Sequence, residues 1–162
     1  MRIALLTYST RPRGGVVHTL HLAEALARTG AAVTVYSLAR GSDAGFFREV
    51  DPAVMVRLAP FPDRPGESVT DRIVRSIATL REFVDPDGFD IVHAQDCISA
   101  NAVGRCIRTI HHLDDFTTPV LVDCHEKAIT TPYAHVCVSE AVAAEVRRGW
   151  GLAPTVIPNG VD

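Results

Sequence analysis

The chain has 162 residues, a length that suits one domain with a hydrophobic core of its own. Apolar residues make up 47% of the sequence and charged residues 22%, which excludes a disordered tail and a small protein held together by disulfides. The formal net charge is −3, from 16 basic and 19 acidic residues. Nucleic-acid-binding proteins usually carry a basic excess, so we expect no nucleic-acid partner.

Cysteine usage and hydropathy indicate the compartment. The chain contains no C-x-x-C pair, and its four cysteines are Cys97, Cys106, Cys124 and Cys137. We interpret them as free thiols in a reducing environment. The apolar run at 3–6 is too short for a signal peptide, and no stretch approaches the about 20 apolar residues of a membrane span. The sequence therefore predicts a cytoplasmic location.

Short β-rich runs alternate with segments whose apolar residues recur at helical spacing. In chain order the pattern predicts a strand at 2–8, a helix at 16–30, strands at 32–38 and 53–58, a helix at 68–84, a strand at 91–94, a short helix at 97–104, a strand at 106–111, a helix at 118–130, a strand at 134–138, a helix at 139–148 and a strand at 155–157.

Hydroxyl residues and prolines mark several of these boundaries. Ser68 or Thr70 is expected to cap one helix, and Ser139 another. Thr118 stands before a proline, a combination that predicts a capping hydroxyl followed by proline in the first helical position. Three prolines and one glycine within residues 59–67 predict a loop.

Strands separated by helices imply crossover connections and a largely parallel sheet with helices on both faces. We therefore predict an α/β fold, a Rossmann-like doubly wound sheet with strand order 3-2-1-4-5-6 and the run at 155–157 as a seventh strand. In such sheets ligands bind beyond the carboxyl ends of the strands, where the strand order reverses. The loops at 10–15 and 94–96 should then face each other across that crevice.

The first of these loops ends in the adjacent glycines Gly14 and Gly15 at the start of a helix. Glycines let backbone N–H groups approach a ligand closely, and a helix N-terminus favours an anion. The spacing is not the G-x-G-x-x-G of dinucleotide-binding proteins. A plain tight turn is an equally good interpretation of the glycine pair alone.

Polar side chains cluster after the strand at 106–111. They are His111, His112, Asp114 and Asp115. A divalent metal site, a substrate pocket and a structural cluster all remain open, but the spacing matches no zinc motif, and we predict no metal. Asp96 and His93 stand at another strand end, where polar residues commonly line the pocket of this fold.

The helix at 69–84 carries Arg72, Arg75 and Arg81 on an amphipathic pattern. A basic amphipathic helix can lie on an anionic membrane, so a weak membrane association is one interpretation. Two acidic residues dilute the charge, and a solvated face on a helix packed against the core is the interpretation that we favour.

Six short segments, in this order along the chain, carry a family resemblance. They read M-R-I-A-L-L-T-Y at 1–8, G-G-V-V-H-T-L-H-L-A-E-A-L-A-R-T-G at 14–30, D-I-V-H-A-Q-D at 90–96, T-I-H-H at 109–112, V-C-V-S-E at 136–140 and V-I-P-N-G-V-D at 156–162. With them the chain resembles the N-terminal half of a GT-B glycosyltransferase, closest to the large retaining family 4. The resemblance implies that residues 1–158 form the acceptor-side Rossmann-like domain. Residues 159–162 would begin the linker to a second, donor-binding Rossmann domain that this chain does not contain.

The same resemblance assigns expected roles around the predicted crevice. Gly14 and Gly15 match the glycine loop that approaches the donor diphosphate or the transferred sugar. His111 matches the histidine of the family's T-x-H motif, expected beside the donor sugar, and is the candidate catalytic residue. Asp96 would face the acceptor or the sugar. One departure is Gln95, because the family often has a histidine at this place on the acceptor side.

Five further residues follow from the resemblance. His112, Asp114 and Asp115 are expected to contact the acceptor, by position only. Asn159 and Gly160 belong to the junction with the second domain.

The resemblance also implies an activity for the full-length protein. A sugar would pass from a nucleotide-sugar donor to an acceptor hydroxyl with retention at the anomeric carbon, without a cofactor or a bridging metal. The donor would lie mainly on the second domain, so we expect this chain alone to be inactive. Two alternatives stay open: a stand-alone Rossmann module that binds a ligand without catalysis, and half of a GT-B sugar-nucleotide epimerase. The acceptor is unidentified.

Overall fold

Strands and helices alternate along residues 1–160, the part of the chain that the computed structural model describes. The strands are β1 (Arg2–Leu6), β2 (Ala32–Arg40), β3 (Val54–Phe61), β4 (Ile91–Ala94), β5 (Ile107–Ile110), β6 (Ala134–Cys137) and β7 (Thr155–Val156). The helices are α1 (Gly14–Arg28), α2 (Val69–Phe83), α3 (Cys97–Val103), α4 (Pro119–Thr130) and α5 (Glu140–Trp150). Val161 and Asp162 of the predicted linker lie outside the described residues.

These strands form one parallel sheet in the order β3-β2-β1-β4-β5-β6-β7. β1 lies inside the sheet, with its Leu6 opposite Tyr36 of β2 and Ala94 of β4. The predicted Rossmann-like sheet is confirmed, including its strand order and seventh strand. The order reverses between β1 and β4, so the crevice for a ligand opens beyond the carboxyl ends of these two strands.

Both faces of the sheet are covered by helices. Along β1, Ala4 and Leu6 pack into a core cluster with residues of α2, α3 and α4. The alternate residues Ile3 and Leu5 pack on the other face against α1. A strand buried on both faces must be apolar at every position, which explains why the N-terminal run lacks a polar alternation. A third cluster joins Ile110 of β5 to α5.

Two of the predicted capping residues cap their helices. The Ser68 hydroxyl accepts a hydrogen bond of 3.0 Å from the Asp71 N–H at the start of α2, so the alternative cap, Thr70, lies within the helix. The Ser139 hydroxyl accepts one of 3.2 Å from the Val142 N–H at the start of α5. Each bond satisfies an N–H group that has no partner inside its own helix.

The predicted capping role of the Thr118 hydroxyl is wrong, although Thr118 does precede α4 and Pro119 does occupy its first turn. The side chain of Thr118 makes no capping hydrogen bond. Its backbone carbonyl accepts instead from the N–H groups of Leu121, at 2.9 Å, and Val122, at 3.0 Å. The Leu121 N–H is one that a capping hydroxyl would use, so the carbonyl has replaced the side chain.

The loop predicted at 59–67 begins later than expected, because β3 continues through Pro60 to Phe61. β3 lies at the edge of the sheet, where a proline without an N–H group is tolerated. Phe61 is buried and pairs in register with Arg40 of β2. The guanidinium carbon of Arg75 lies 3.8 Å from the centre of the Phe61 ring, so this end of the strand is fixed by packing.

No helix within the described residues 1–160 is both long enough and apolar enough to cross a membrane. Two arginines of α2 that suggested a membrane-surface helix are bonded within the fold. Arg75 pairs with Glu67 at 2.6 Å, and Arg81 donates a 2.9 Å hydrogen bond to the Asn101 carbonyl. The buried face of α2 packs against the sheet through Ile77 and neighbouring residues, as expected of a core helix.

Candidate functional site

A cavity of about 660 Å³ opens at the carboxyl ends of the strands. Its walls come from the loop after β1, the end of β2, the first half of α2, the loop after β4 and the segment after β5. The volume lies within the range of about 300–1,000 Å³ that is usual for small-molecule sites. The cavity contains these residues predicted from the sequence: Gly14, Gly15, Asp96, His111, His112, Asp114 and Asn159. Asp115 and Gly160 do not line it.

The glycine pair begins α1 directly at the cavity. A Cβ built on Gly14 would meet no atom within 4 Å, whereas one on Gly15 would lie 3.7 Å from His111 Cδ2. Neither glycine has a positive φ, so backbone strain plays no part here. Arg13, the residue before the helix, gives no side-chain cap to its first turn. The N–H groups of that turn therefore face the cavity without a capping side chain, as an anion-binding helix start requires.

His111 lies beside the glycine pair and is half-buried. Its Nε2 atom is 3.1 Å from Gln95 Oε1, and its ring meets the ring of His18 edge to face with the centres 4.8 Å apart. Burial, and then the neighbouring positive charge of other side chains, lowers the pKa of His111 to about 4. The imidazole is therefore neutral at physiological pH, with Nε2–H donating to Gln95 and Nδ1 left as a hydrogen-bond acceptor.

His18 of α1 belongs to this site, although the sequence analysis did not single it out. Its Nδ1 atom lies 2.9 Å from Asn159 Oδ1, so it links Asn159 to His111. Burial lowers the pKa of His18 as well. A signal was present in the sequence, because His18 follows Gly14 by four residues and Gly15 by three, which places all three on one face of the helix.

Asp96 joins the two loops that the sequence predicted to face each other. One carboxylate oxygen accepts a 3.1 Å hydrogen bond from the Tyr8 N–H after β1, and the other accepts one of 2.8 Å from the Ser99 N–H in α3. Burial raises the pKa of Asp96, and these hydrogen bonds oppose that rise. The contact with a sugar or an acceptor that we expect of Asp96 stays a prediction, beside this observed role in positioning the loops.

The polar cluster after β5 stays together only in part, because His111, His112 and Asp114 line the cavity and Asp115 does not. His112 Nε2 lies 3.4 Å from Asp114 Oδ1, with their side chains 74% and 41% exposed. His93 was expected to line the pocket, but it lies outside the lining and bonds Thr109 Oγ1 at 2.7 Å. Burial lowers the pKa of His93 to about 4.

A different trio could hold a cation. Single ligand atoms of Cys97, Asp114 and His125 all lie within 4.8 Å of one another, and Cys97 Sγ is 3.4 Å from His125 Nδ1. No sequence motif links these residues, so only the fold reveals the group. The buried Arg108 guanidinium lies 3.5 Å from the same sulfur and already supplies positive charge there. Burial raises the pKa of the Cys97 thiol. The absence of a metal stays a prediction.

Two arginines line the cavity on the side of β2 and α2. They are Arg40 and Arg72, whereas Arg13, which also lines the cavity, directly precedes the glycine pair beside His111. Arg40 ends β2 and is half-buried, with its guanidinium carbon 5.4 Å from the centre of the Phe61 ring. The sequence analysis considered Arg72 only as part of a membrane-facing or solvated surface.

The chain is similar to known proteins in sequence and in fold. The sequence model of the family described as Glycosyltransferase Family 4 matches residues 12–162. A search among curated proteins gives no match.

Solved structures share the fold at low sequence identity. Sucrose-phosphate synthase from Thermosynechococcus elongatus is 16% identical with a TM-score of 0.74, over 100% of this chain and 49% of that one. WaaG, a glycosyltransferase involved in lipopolysaccharide biosynthesis, is 12% identical with a TM-score of 0.71, over 99% and 45%. HepE from Anabaena, solved with UDP and glucose, is 16% identical with a TM-score of 0.59, over 100% and 45%. The chain spans about half the length of these proteins.

Proposed function

Because the chain belongs to Glycosyltransferase Family 4, we propose that the full-length protein transfers a sugar from a nucleotide-sugar donor to an acceptor hydroxyl, with retention of configuration at the anomeric carbon. In this proposal residues 1–158 form the acceptor-side domain, and the chain from residue 159 leads to a donor-binding domain. The complex of HepE with UDP and glucose supports a nucleotide-sugar donor by analogy of fold. The four free cysteines fit a reducing compartment, and we propose the cytoplasm.

One observation carries the proposal: the N-terminus of α1, His111 and Asn159 line one cavity at the carboxyl edge of the sheet. The start of α1 offers N–H groups and the positive end of a helix dipole, which suit a diphosphate or a sugar hydroxyl. His111 adds a neutral ring beside them. A second domain attached after Asn159 would bring its donor toward this same cavity.

The reaction needs one bond to form and one to break at the anomeric carbon. The acceptor oxygen bonds to that carbon on the face from which the diphosphate leaves. The bond to the diphosphate breaks with its electron pair on the phosphate oxygen, which takes up the acceptor proton. Hydrogen-bond donors at the phosphate stabilise the developing charge, and a closed cleft holds the two reactants together. No cofactor is required.

His111 is suited to hold the transferred sugar rather than to exchange protons. Its pKa of about 4 leaves it neutral in the working range of a cytoplasmic enzyme. Its Nε2–H donates a hydrogen bond to Gln95 Oε1, so the unprotonated Nδ1 can accept a hydrogen bond from a sugar hydroxyl. Gly15 keeps the space next to the ring open, because it has no side chain.

The test compares the full-length protein with the 162-residue chain. Nucleotide release from a panel of nucleotide sugars gives the activity, and the proton coupling of the product's anomeric hydrogen in NMR gives its configuration. We expect transfer with retention by the full-length protein and no turnover by the chain alone. An inverted product would contradict retention, and turnover by the chain alone would contradict the proposed division of labour. Ligand binding by a full-length protein that consumes no nucleotide sugar would favour a binding module.

A further inference from the structure

The arginine end of the cavity, formed by Arg40 and Arg72, carries positive charge that no close ion pair neutralises. In residues 1–160 neither of these guanidinium groups lies within 4.0 Å of a carboxylate. Guanidinium groups that face a cavity of a folded protein are usually paired, because their charge is costly to remove from water.

Two neighbouring arginines, by contrast, form ion pairs with carboxylates. Arg75 donates two hydrogen bonds, of 2.6 and 2.7 Å, to the Glu67 carboxylate. Arg11 lies 3.7 Å from Asp43. A third carboxylate, Asp63, lies near enough to Arg40 to favour its charged form, but it makes no ion pair within 4.0 Å among the described residues. The guanidinium groups of Arg40 and Arg72 therefore remain able to bind an added anion.

Arg40 is held in place although its neighbours repel it. Its guanidinium lies over the face of Phe61, and burial together with the nearby charges of Arg72 and Arg11 lowers its pKa. Aromatic packing holds this guanidinium close to other positive charges. A guanidinium held in this way is preorganised to bind an oxyanion. Arg72 stands in the first turns of α2, so the positive end of that helix adds to the field.

We infer that Arg40 and Arg72 form a subsite for a phosphate or carboxylate group of the acceptor. The inference rests on the proposed function, in which this domain holds the acceptor. Arg40 ends β2 and His111 follows β5, three strand spacings away, which is about 14 Å. The acceptor is therefore an acidic molecule whose charged group binds at the arginine end while its reacting hydroxyl reaches the histidine end.

The experiment titrates the 162-residue chain with chosen probes by calorimetry and by NMR. The probes are inorganic phosphate, glucose 6-phosphate, glucose, glucuronate and UDP, with vesicles of phosphatidylglycerol in phosphatidylcholine as a separate arm. The variants are Arg72→Gln and Arg40→Gln. Arg57→Gln is the matched control, because Arg57 is an exposed arginine of β3 that does not line the cavity.

We expect glucose 6-phosphate or glucuronate to bind more tightly than glucose, and Arg72→Gln to weaken that binding about tenfold, as the loss of a charge-assisted hydrogen bond would. Arg57→Gln should change nothing. Arg72-dependent binding of the vesicles instead of the soluble probes would support the subsite and identify the acidic group as a lipid phosphate. Circular dichroism checks that each variant is folded. Arg72→Gln supplies the answer if Arg40→Gln unfolds, because the Arg72 guanidinium makes no hydrogen bond within the described chain.

Anion binding that is equal in the wild type, Arg72→Gln and Arg57→Gln would overturn the inference. Binding of UDP at the arginine end that is tighter than that of every acidic sugar would also overturn it, because the subsite would then belong to the donor. Failure of the proposed function looks different. In that case the arginine-dependent binding persists in a full-length protein that transfers no sugar.

Discussion

The two ends of the cavity are organised in opposite ways. At the histidine end, His18, His111, Gln95 and Asn159 contact one another, and burial keeps His18 and His111 neutral. At the arginine end, Arg40 and Arg72 make no close ion pair with a carboxylate among the described residues. A neutral, preorganised end suits the positioning of a reacting sugar, and a charged end suits recognition. Four predictions test this division.

The largest expected effect is at the histidine end, where His111→Ala in the full-length protein should lower kcat by about 100-fold, the usual loss for one well-placed transition-state contact. The melting temperature should change little, because His111 is only half-buried. His21→Ala is the matched control, because His21 is exposed on α1, does not line the cavity and should leave kcat unchanged when replaced. A variant that melts earlier and retains full turnover would mean that His111 is a structural residue.

The contrast in charge also predicts a pH dependence of stability. The pKa values of His93 and His111 in the folded protein are about 4, below their ordinary value of 6.5 in the unfolded chain. The unfolded chain therefore binds more protons between pH 4 and 6.5. Stability should be full above pH 6.5 and should fall as the pH drops toward 4, by up to about 1.4 kcal/mol per pH unit for each histidine.

Urea unfolding of the chain at pH 7, 6 and 5 measures this slope. His93→Gln, which keeps a hydrogen-bonding side chain beside Thr109, should make the slope smaller. An unchanged slope in this variant would show that His93 is protonated in the folded protein. Arginines stay charged over this range, so the arginine end should add nothing to the slope.

Gly15, which lies beside His111, should tolerate a side chain of one carbon but not one of three. In Gly15→Ala the new Cβ lies 3.7 Å from His111, an ordinary contact, and activity should be close to normal. In Gly15→Val the two further methyl groups reach toward the ring, and displacing it should lower kcat/KM about tenfold, in line with the usual cost of overpacking. Equal activity of the two variants would show that the ring moves freely.

The smallest expected effect concerns metal. Zinc added to the chain should leave its melting temperature unchanged, because Arg108 lies 3.5 Å from the Cys97 sulfur and burial opposes the thiolate that zinc requires. The measurement is a thermal melt with zinc and with a chelator. A zinc-dependent rise in the melting temperature that disappears in Cys97→Ser would establish a metal site at Cys97, Asp114 and His125.

Much of the fold could be predicted from the sequence because its signals are local. Alternating strand and helix patterns predicted a doubly wound parallel sheet, whose usual strand order the structure confirms, and the hydroxyls of Ser68 and Ser139 marked two helix starts. Thr118 carried the same signal, but its side chain does not cap the helix. Its backbone carbonyl accepts the hydrogen bond from the Leu121 N–H instead. The proline-rich sequence predicted a loop at residues 59–61. In the structure these residues continue β3, and Phe61 is buried at the edge of the sheet.

The site was harder to predict because its contacts are distant in sequence. His111 and the glycine pair stand in recognisable positions, and the fold does bring them together. His18 had only its helical spacing to identify it, and its link to Asn159 spans 141 residues. Arg75 pairs with Glu67, whereas Arg72 does not. This difference depends on the directions of the side chains, which the composition does not encode.

The central place of β1 in the parallel sheet shapes how the chain is made. Leu6 pairs with Tyr36 of β2, 30 residues later and beyond α1, but it meets Ala94 of β4 only after 88 residues. Long-range parallel pairing is slow to form, and an unpaired strand edge can join another chain. On the ribosome β1 to β3 therefore assemble while the edge of β1 that will pair with β4 is still open. That edge is protected only when β4 emerges, which makes this interval the point at which the growing chain is most exposed to aggregation.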